Sequence, residues 1–262
     1  MRALDTIDPA ARSIVTAIRD AIVETASDEL VGLFVYGSAA TGDFEPNVSD
    51  IDLIAVLQRV PDDQLVARLR AMHDRLVLAT PAWQDRIDLD YISAQGLAGC
   101  RSHSTTVARI SPGEPFHVLE AGREFILDWH PARQHAITIV GPRIDSVIPE
   151  IPEAEYLDEV RRYLARFPDR FDDDASAGSR SYAVLTMCRG LYALRHGERL
   201  TKRAAGLRAR AAFPRWARVI DRATGWRDPP ASDEDDDDPA HVHEARSFVT
   251  EMARLLDLDR AE

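Results

Sequence analysis

A glycine-serine turn and two aspartates near the start of the sequence could bind a phosphorylated ligand together with a metal ion. The apolar run 33–36 ends at Gly37 and Ser38, and Asp50 and Asp52 follow in a second apolar run. A glycine turn exposes backbone N–H groups and lets the chain approach a phosphate closely. Residues two apart on a strand share a face, so the aspartates form a carboxylate pair. Such a pair suits Mg²⁺ that carries a nucleoside triphosphate.

A third acid on a neighbouring strand would complete a site for two metal ions. The segment 87–92 alternates apolar and polar residues like a strand, and Asp88 and Asp90 share its polar face. The alternative is an ordinary turn followed by solvent-facing aspartates. Apolar residues flank Asp50 and Asp52 on both sides, and this favours the binding site.

The elements that must position these residues follow from apolar periodicity. A helix is predicted from Asp8 to about Thr25, with Asp8 as its cap and Pro9 in its first turn. The other elements expected in this half are strands at 33–36, 50–57, 87–92 and 136–140 and a helix around 65–76. The segment 94–122 has no clear period and predicts no element. Strand, strand, helix and strand in one domain indicate an α/β or α+β core.

The second half of the chain is predicted to be a separate, helical domain. A proline-bearing stretch after Val140 indicates a boundary near residue 150, which gives domains 1–150 and 151–262. Helices are expected over 153–167, 182–196, 201–224 and 240–258. The acidic run 233–238 is predicted to be a solvated loop, and a cation site is the alternative.

Composition narrows the class of protein. The 262 residues are 45% hydrophobic and 29% charged, which is typical of a globular protein. The net charge of −12 argues against a nucleic acid partner and fits a cationic or metal-bound one. The absence of a long apolar stretch argues against a membrane span, and acids near the start argue against a signal peptide. With only two cysteines, the expected compartment is the reducing cytoplasm.

Residues 33–92 resemble the nucleotidyltransferase superfamily, whose pattern joins a glycine-serine turn to an Asp-x-Asp strand and a later strand carboxylate. The stretch 182–205 is similar to the helical domain of the streptomycin/spectinomycin-type aminoglycoside adenylyltransferases, and 132–142 resembles the domain junction of that family. The resemblance spans about residues 30–210. It implies an α+β fold, with an N-terminal mixed sheet carrying helices and a C-terminal domain made only of helices.

The resemblance also implies an activity, the transfer of AMP from ATP to a hydroxyl of an aminoglycoside-like antibiotic. The residues expected to bind the nucleotide are Gly37, Ser38, Ser49, Arg189 and Lys202. The expected ligands of one or two Mg²⁺ ions are Asp50, Asp52 and Asp88. Lys202 also stands out by itself, because it is the only lysine among 32 basic residues. A lone lysine in an arginine-rich chain indicates a need for a compact point charge.

The position of the catalytic base departs from the family pattern, because the family uses a strand glutamate there. Alignment of that strand places Asp88 at this position. Aspartate is one methylene shorter, about 1.5 Å less reach. Either the strand lies closer to the substrate, or Asp90 shares the role of base.

The acceptor is left open by a departure from the family. The family has acids that bind the amines of the drug just before the helix that starts near Tyr182, whereas this chain reads Ala175-Ser-Ala-Gly-Ser179. The nearest candidates for substrate binding are Asp172, Asp173 and Asp174. A cationic aminoglycoside is the expected partner. The alternatives are a nucleotidyltransferase for a protein side chain, a tRNA end or a small metabolite, and a nucleotide-binding relative without activity.

Overall fold

The computed structural model describes residues 3–172, 175–226 and 238–258. The chain divides into two compact units, Met1–Ile151 (unit 1) and Pro152–Glu262 (unit 2). Asp173, Asp174 and residues 233–237 of the acidic run lie outside the described residues. In the part of the chain that is described, no helix is both long and apolar enough to cross a membrane.

Unit 1 is a mixed sheet with helices, as the α+β expectation required. Its strands are β1 (Leu30–Tyr36), β2 (Ile51–Leu57), β3 (Ile87–Ser93), β4 (Thr105–Ser111), β5 (Glu114–Ala121) and β6 (Ile137–Val140). Its helices are α1 (Arg12–Ala26), α2 (Ser38–Thr41), α3 (Asp63–Ala79), α4 (Ala94–Gly99) and α5 (Ile126–His135). Within the described residues the strand order is β5-β4-β3-β2-β1-β6. The pair β2 and β3 is parallel, and the other neighbours are antiparallel.

One face of the sheet is the core of unit 1, and the opposite face carries the acids. The core residues of the central strands are Leu33, Val35, Leu53, Ala55, Leu89 and Tyr91, which cluster with apolar residues of α1 and α3. Side chains alternate across a strand. Tyr36, Asp52, Asp88 and Asp90 therefore share the other face.

One expectation for unit 1 is wrong, and one segment that the sequence left unassigned forms regular elements. The first helix begins at Arg12 and not at Asp8, because Asp8 forms a local turn in which its Oδ1 accepts a hydrogen bond from the Ala10 N–H. The segment 94–122, which predicted no element, forms α4, β4 and β5. β5 lies at the edge of the sheet and much of its surface is exposed. The alternation of apolar and polar residues that marks a half-buried strand is therefore weak there.

Unit 2 is helical in all of its described elements. The helices are α6 (Glu153–Ala165), α7 (Ala177–His196), α8 (Lys202–Ala212), α9 (Ala217–Gly225) and α10 (Pro239–Leu258). α7 is central and packs against the other four. It begins after the N-cap Ser176, whose Oγ accepts a hydrogen bond from Ser179 N, and ends at Gly197 in the left-handed conformation.

The single helix expected over 201–224 is wrong. α8 ends at Ala212, a short 3₁₀ turn follows at Pro214–Trp216, and α9 begins at Ala217. Proline restricts the residue before it to extended conformations. Phe213 accordingly has φ −127° and ψ 68°, which ends α8.

Candidate active site

The turn after β1 is shaped around Asp52. Gly37 has φ 63° and ψ −150°, a conformation that is open only to glycine. A Cβ at this position would overlap Oδ2 of Asp52. The N–H groups of Ala40 and Thr41 donate to the Gly37 carbonyl at 3.2 and 3.1 Å, which closes the short helix α2. The absence of a side chain at residue 37 therefore lets the Asp52 carboxylate lie against the turn.

Strand pairing brings the acids from two segments of the sequence together. Tyr36 pairs with Asp52 across β1 and β2, and Asp52 pairs with Asp88 across the parallel strands β2 and β3. The expected strand began at Asp50, but β2 begins at Ile51, so Asp50 lies at the entrance to the strand. The charge of Asp50 still acts on Asp88 and raises its pKa.

Asp88 forms an ion pair with an arginine that sequence reasoning missed. Nη2 of Arg109, on β4, donates to both carboxylate oxygens of Asp88, at 2.8 and 3.0 Å. Burial raises the pKa of Asp88 to about 6, Arg109 opposes that shift, and the charges of Asp128 and Asp50 add to it. A carboxyl group with this pKa is mostly ionised at neutral pH and can accept a proton.

Asp90 lies in a different environment from Asp88 although both share one face of β3. Asp90 is 1% exposed, and its carboxylate oxygens have no hydrogen-bond partner among the described residues. Its ion pair with Nη1 of Arg109 is long, 3.5 Å. Burial raises the pKa of Asp90 to about 8, against the opposing charge of Arg109. Asp90 is therefore mostly protonated at neutral pH.

Asp128 is a further acid near this face that the sequence did not reveal. It lies on α5, and its charge raises the pKa values of Asp88 and Asp90. Burial, followed by the charge of Asp128, also raises the pKa of Tyr36, which keeps the phenol neutral. No spacing connects Asp128 or Arg109 to the Asp-x-Asp pattern, so only the packing of α5 and β4 could identify them.

The serines expected to bind phosphate have different surroundings. Ser38 is half-buried at the start of α2. Ser49 is 5% exposed, and its Oγ accepts a hydrogen bond from the Glu45 N–H at 3.0 Å. The Ser49 carbonyl accepts from Arg86 Nη2 at 2.6 Å. Ser49 thus stabilises the loop before β2, and its contact with phosphate stays a prediction.

The donor set fits a magnesium ion that arrives with a nucleotide. Among the described residues, no group of three or more His, Cys, Asp and Glu side chains has an arrangement that could hold a metal ion. Mg²⁺ is commonly bound through one or two carboxylates together with substrate phosphates. Asp50 and Asp52 carry hard oxygen donors of this kind, and the Asp52 carboxylate lies against the glycine turn. Their contact with Mg²⁺ stays a prediction. Asp88 is paired with Arg109, and its role as a third metal ligand stays a prediction.

Two candidate residues of unit 2 lie on α7 and α8, and a third, Asp172, precedes α7. Lys202 is the first residue of α8, after the N-cap Thr201, and its Nζ lies 5.2 Å from the centroid of the Tyr182 ring. Arg189 is half-buried on α7, and Asp172 is exposed. Their contacts with nucleotide or acceptor stay predictions.

Comparison with known proteins identifies two domain types in the chain. Residues 146–254 match the family model described as "Aminoglycoside adenylyltransferase, C-terminal domain", and residues 16–87 match the one described as "Nucleotidyltransferase domain". The chain therefore combines a nucleotidyltransferase domain with the C-terminal domain of the aminoglycoside adenylyltransferases. The fold of this adenylyltransferase is similar to that of spectinomycin adenyltransferase AAD(9) from Enterococcus faecialis, solved with ATP and spectinomycin. The TM-score is 0.72 at 15% identity, over 90% of this chain and 98% of the other.

The matched segments of this adenylyltransferase include different candidate residues. The nucleotidyltransferase match includes Gly37, Asp50 and Asp52 and ends at residue 87, immediately before Asp88. The C-terminal match includes Arg189 and Lys202. A comparison with curated proteins finds no match. The assignment of Asp88 therefore depends on its register with Asp52.

Proposed function

We propose that this adenylyltransferase transfers AMP from ATP to a hydroxyl of an aminoglycoside and releases pyrophosphate, a modification of the antibiotic-resistance type. The observation that carries the proposal is the meeting of the Gly37 turn, Asp52 and Asp88 on one face of the sheet. This arrangement brings together a turn that a phosphate could approach closely, a carboxylate that could bind a metal ion, and an acid that could act as a base. The two family matches support the same reaction.

Nucleotide binding is assigned to the turn and to the acids beside it. The backbone of Gly37 and Ser38 would approach the phosphates, and Ser49 would hold the loop that leads to Asp50. Asp50 and Asp52 would hold Mg²⁺, which neutralises charge on the triphosphate and orients it when bound. We assign Lys202 and Arg189 of unit 2 to the same triphosphate as further cations.

We assign to Asp88 the role of the base that takes the proton of the acceptor hydroxyl. The hydroxyl oxygen forms a bond to the α-phosphorus of ATP, the bond from that phosphorus to the bridging oxygen breaks, and pyrophosphate leaves with the electron pair. Asp88 accepts the proton, since its pKa of about 6 leaves it mostly ionised at neutral pH. Asp90 is mostly protonated there, because its pKa is about 8. Positioning and charge neutralisation supply the rest of the rate.

The acceptor is proposed to be a cationic aminoglycoside. The solved neighbour AAD(9) was determined with spectinomycin as well as ATP. The net charge of −12 favours the approach of a polycationic drug. Asp172 is exposed at the start of the segment before α7 and is a candidate contact with drug amines.

Pyrophosphate release across an acceptor panel tests the proposal. The full chain would be incubated with ATP and Mg²⁺ and with each of several aminoglycosides, including streptomycin and spectinomycin. Pyrophosphate would be assayed, and the masses of the products would be measured by mass spectrometry. We expect one AMP to be added to at least one drug. If none of the drugs causes pyrophosphate release, the proposal is contradicted. AMP found on a protein or on a tRNA end would favour the other acceptor class.

A further inference from the structure

We propose that Arg109 is a positioning residue that holds the Asp88 carboxylate in the orientation needed to accept the proton of the acceptor. This inference rests on the proposed function, because it assigns Arg109 a task in the same reaction. Arg109 lies in the segment 94–122, which carries no recognisable motif, and outside both family matches. The evidence is the geometry around its guanidinium group.

The sheet register places Arg109 within reach of both acids of β3. Arg109 is directly opposite Asp90 in the antiparallel pair of β3 and β4. Asp88 lies two residues away on the same face and is the diagonal neighbour, which a long side chain can reach. One terminal nitrogen, Nη2, contacts both oxygens of Asp88, and the other, Nη1, lies 3.5 Å from Asp90.

The guanidinium group is itself restrained on two sides. Its carbon lies 5.2 Å from the centroid of the Phe125 ring, in the geometry of a cation–π contact. The second nitrogen, Nη1, lies 3.5 Å from the buried Asp90 carboxyl, and the Arg109 side chain is 16% exposed. An arginine restrained in this way limits the rotation of the carboxylate that it contacts. A surface arginine with free rotamers could not provide this restraint.

The restraint has a consequence for the reaction rather than for binding. A general base contributes only when its oxygen lies within hydrogen-bond distance of the proton that it takes, so its orientation affects the chemical step. Loss of Arg109 should therefore lower kcat and leave the binding of ATP and acceptor nearly unchanged. Lysine keeps the positive charge but lacks the planar guanidinium, so it should restore only part of the contact with Asp88 and only part of kcat.

The experiment compares Arg109→Gln and Arg109→Lys with the wild type. We expect Arg109→Gln to lower kcat by roughly 10–100-fold, with KM values for ATP and acceptor changed by less than about 3-fold, and Arg109→Lys to recover part of the loss. Arg59→Gln is the matched control, since Arg59 also contacts a carboxylate, that of Glu29, in unit 1 and away from the site. It should leave kcat unchanged.

A double-mutant cycle decides whether Arg109 acts through Asp88. In an Asp88→Asn background, Arg109→Gln should lower the residual kcat no further, because the group that it positions is gone. The same fold-loss in both backgrounds, or an unchanged kcat in Arg109→Gln alone, would overturn the inference. Urea unfolding of the same four proteins reports the Arg109 and Asp88 contact without any assay of activity. If the wild type releases no pyrophosphate, the proposed function fails and this inference fails with it, whereas non-additive unfolding midpoints would still establish the contact.

Discussion

Gly37 lies directly against the carboxylate of Asp52, so that a methyl group on residue 37 would overlap Oδ2 of Asp52. Two physical reasons therefore require glycine at this position. Its φ of 63° is strained for any residue with a side chain, and the space of a Cβ is already filled. The shape of the turn and the position of a proposed metal ligand thus depend on each other.

Gly37→Ala is expected to lower pyrophosphate release by about 100-fold, the cost of moving a reacting group by about 1 Å. The alanine methyl group must displace either the turn or Asp52. Gly113→Ala is the control, because Gly113 also has a positive φ, 77°, but no atom within 4 Å of its missing Cβ. Both variants should melt at lower temperature, and an equal loss of kcat in both would contradict a link to Asp52.

Asp50→Asn and Asp52→Asn are each expected to abolish transfer while the fold stays intact. An amide removes the negative charge that would hold Mg²⁺ beside the triphosphate. Pyrophosphate release and thermal melting would be measured together. Asp74→Asn on the exposed side of α3 should behave as the wild type. Turnover near the wild-type value in either site variant would argue against the two-carboxylate site.

Asp88→Asn should reduce kcat by about 10²–10⁴-fold with ATP affinity retained, as is typical for loss of a general base. Asp90→Asn should do less, since its pKa of about 8 leaves a neutral carboxyl at pH 7 that asparagine matches in shape. Kinetics at pH 7 and calorimetric titration of ATP would separate the two. A larger loss in Asp90→Asn would reverse the assignment of the base.

Lys202→Ala is expected to weaken MgATP binding by about 10–150-fold, the equivalent of a charge-assisted contact of roughly 1.5–3 kcal/mol. Lys202→Arg should recover part of the affinity, because the planar guanidinium differs in shape and reach. Arg208→Ala is a control on the same helix, at an exposed position. Calorimetric titration of the four proteins measures the effect, and unchanged affinity in Lys202→Ala would show that unit 1 binds the nucleotide without it.

His73 should make the protein less stable in mild acid. It is 1% exposed, its Nε2 lies 2.9 Å from the Tyr91 hydroxyl, and burial lowers its pKa from 6.5 to about 4. Above pH 6.5 the imidazole is neutral in both states. As the pH falls from 6.5 towards 4, the unfolded chain binds a proton that the folded chain does not, so the free energy of unfolding falls by up to about 3 kcal/mol.

His73→Gln isolates this effect, because glutamine cannot titrate but can still bond to Tyr91. Urea unfolding would be followed between pH 7 and pH 4.5 in both proteins. The wild type should lose stability relative to the variant as the pH falls. A constant difference across this range would mean that His73 does not titrate between the two states.

Features set by neighbouring residues could be predicted from the sequence. Three such features depend on spacing over a few residues, which can be seen in the sequence. They are the strand that ends at Gly37, the paired acids Asp50 and Asp52, and the helical second half. β1 and α7 follow that spacing, whereas β2 begins at Ile51, one residue later than expected. Local competition explains the two boundary errors, since the turn at Asp8 delays α1 and Pro214 separates α8 from α9.

The difference between Asp88 and Asp90 was decided only by the tertiary structure. In the sequence they are acids on one strand face, and the family resemblance implies Asp88 as the base, with Asp90 able to share that role. Burial and the position of Arg109, 21 residues beyond Asp88, make one mostly ionised and the other mostly protonated. Asp128 adds its charge from a separate helix. Charge interactions depend on distance and burial in space, and the packing of β4 and α5 sets both.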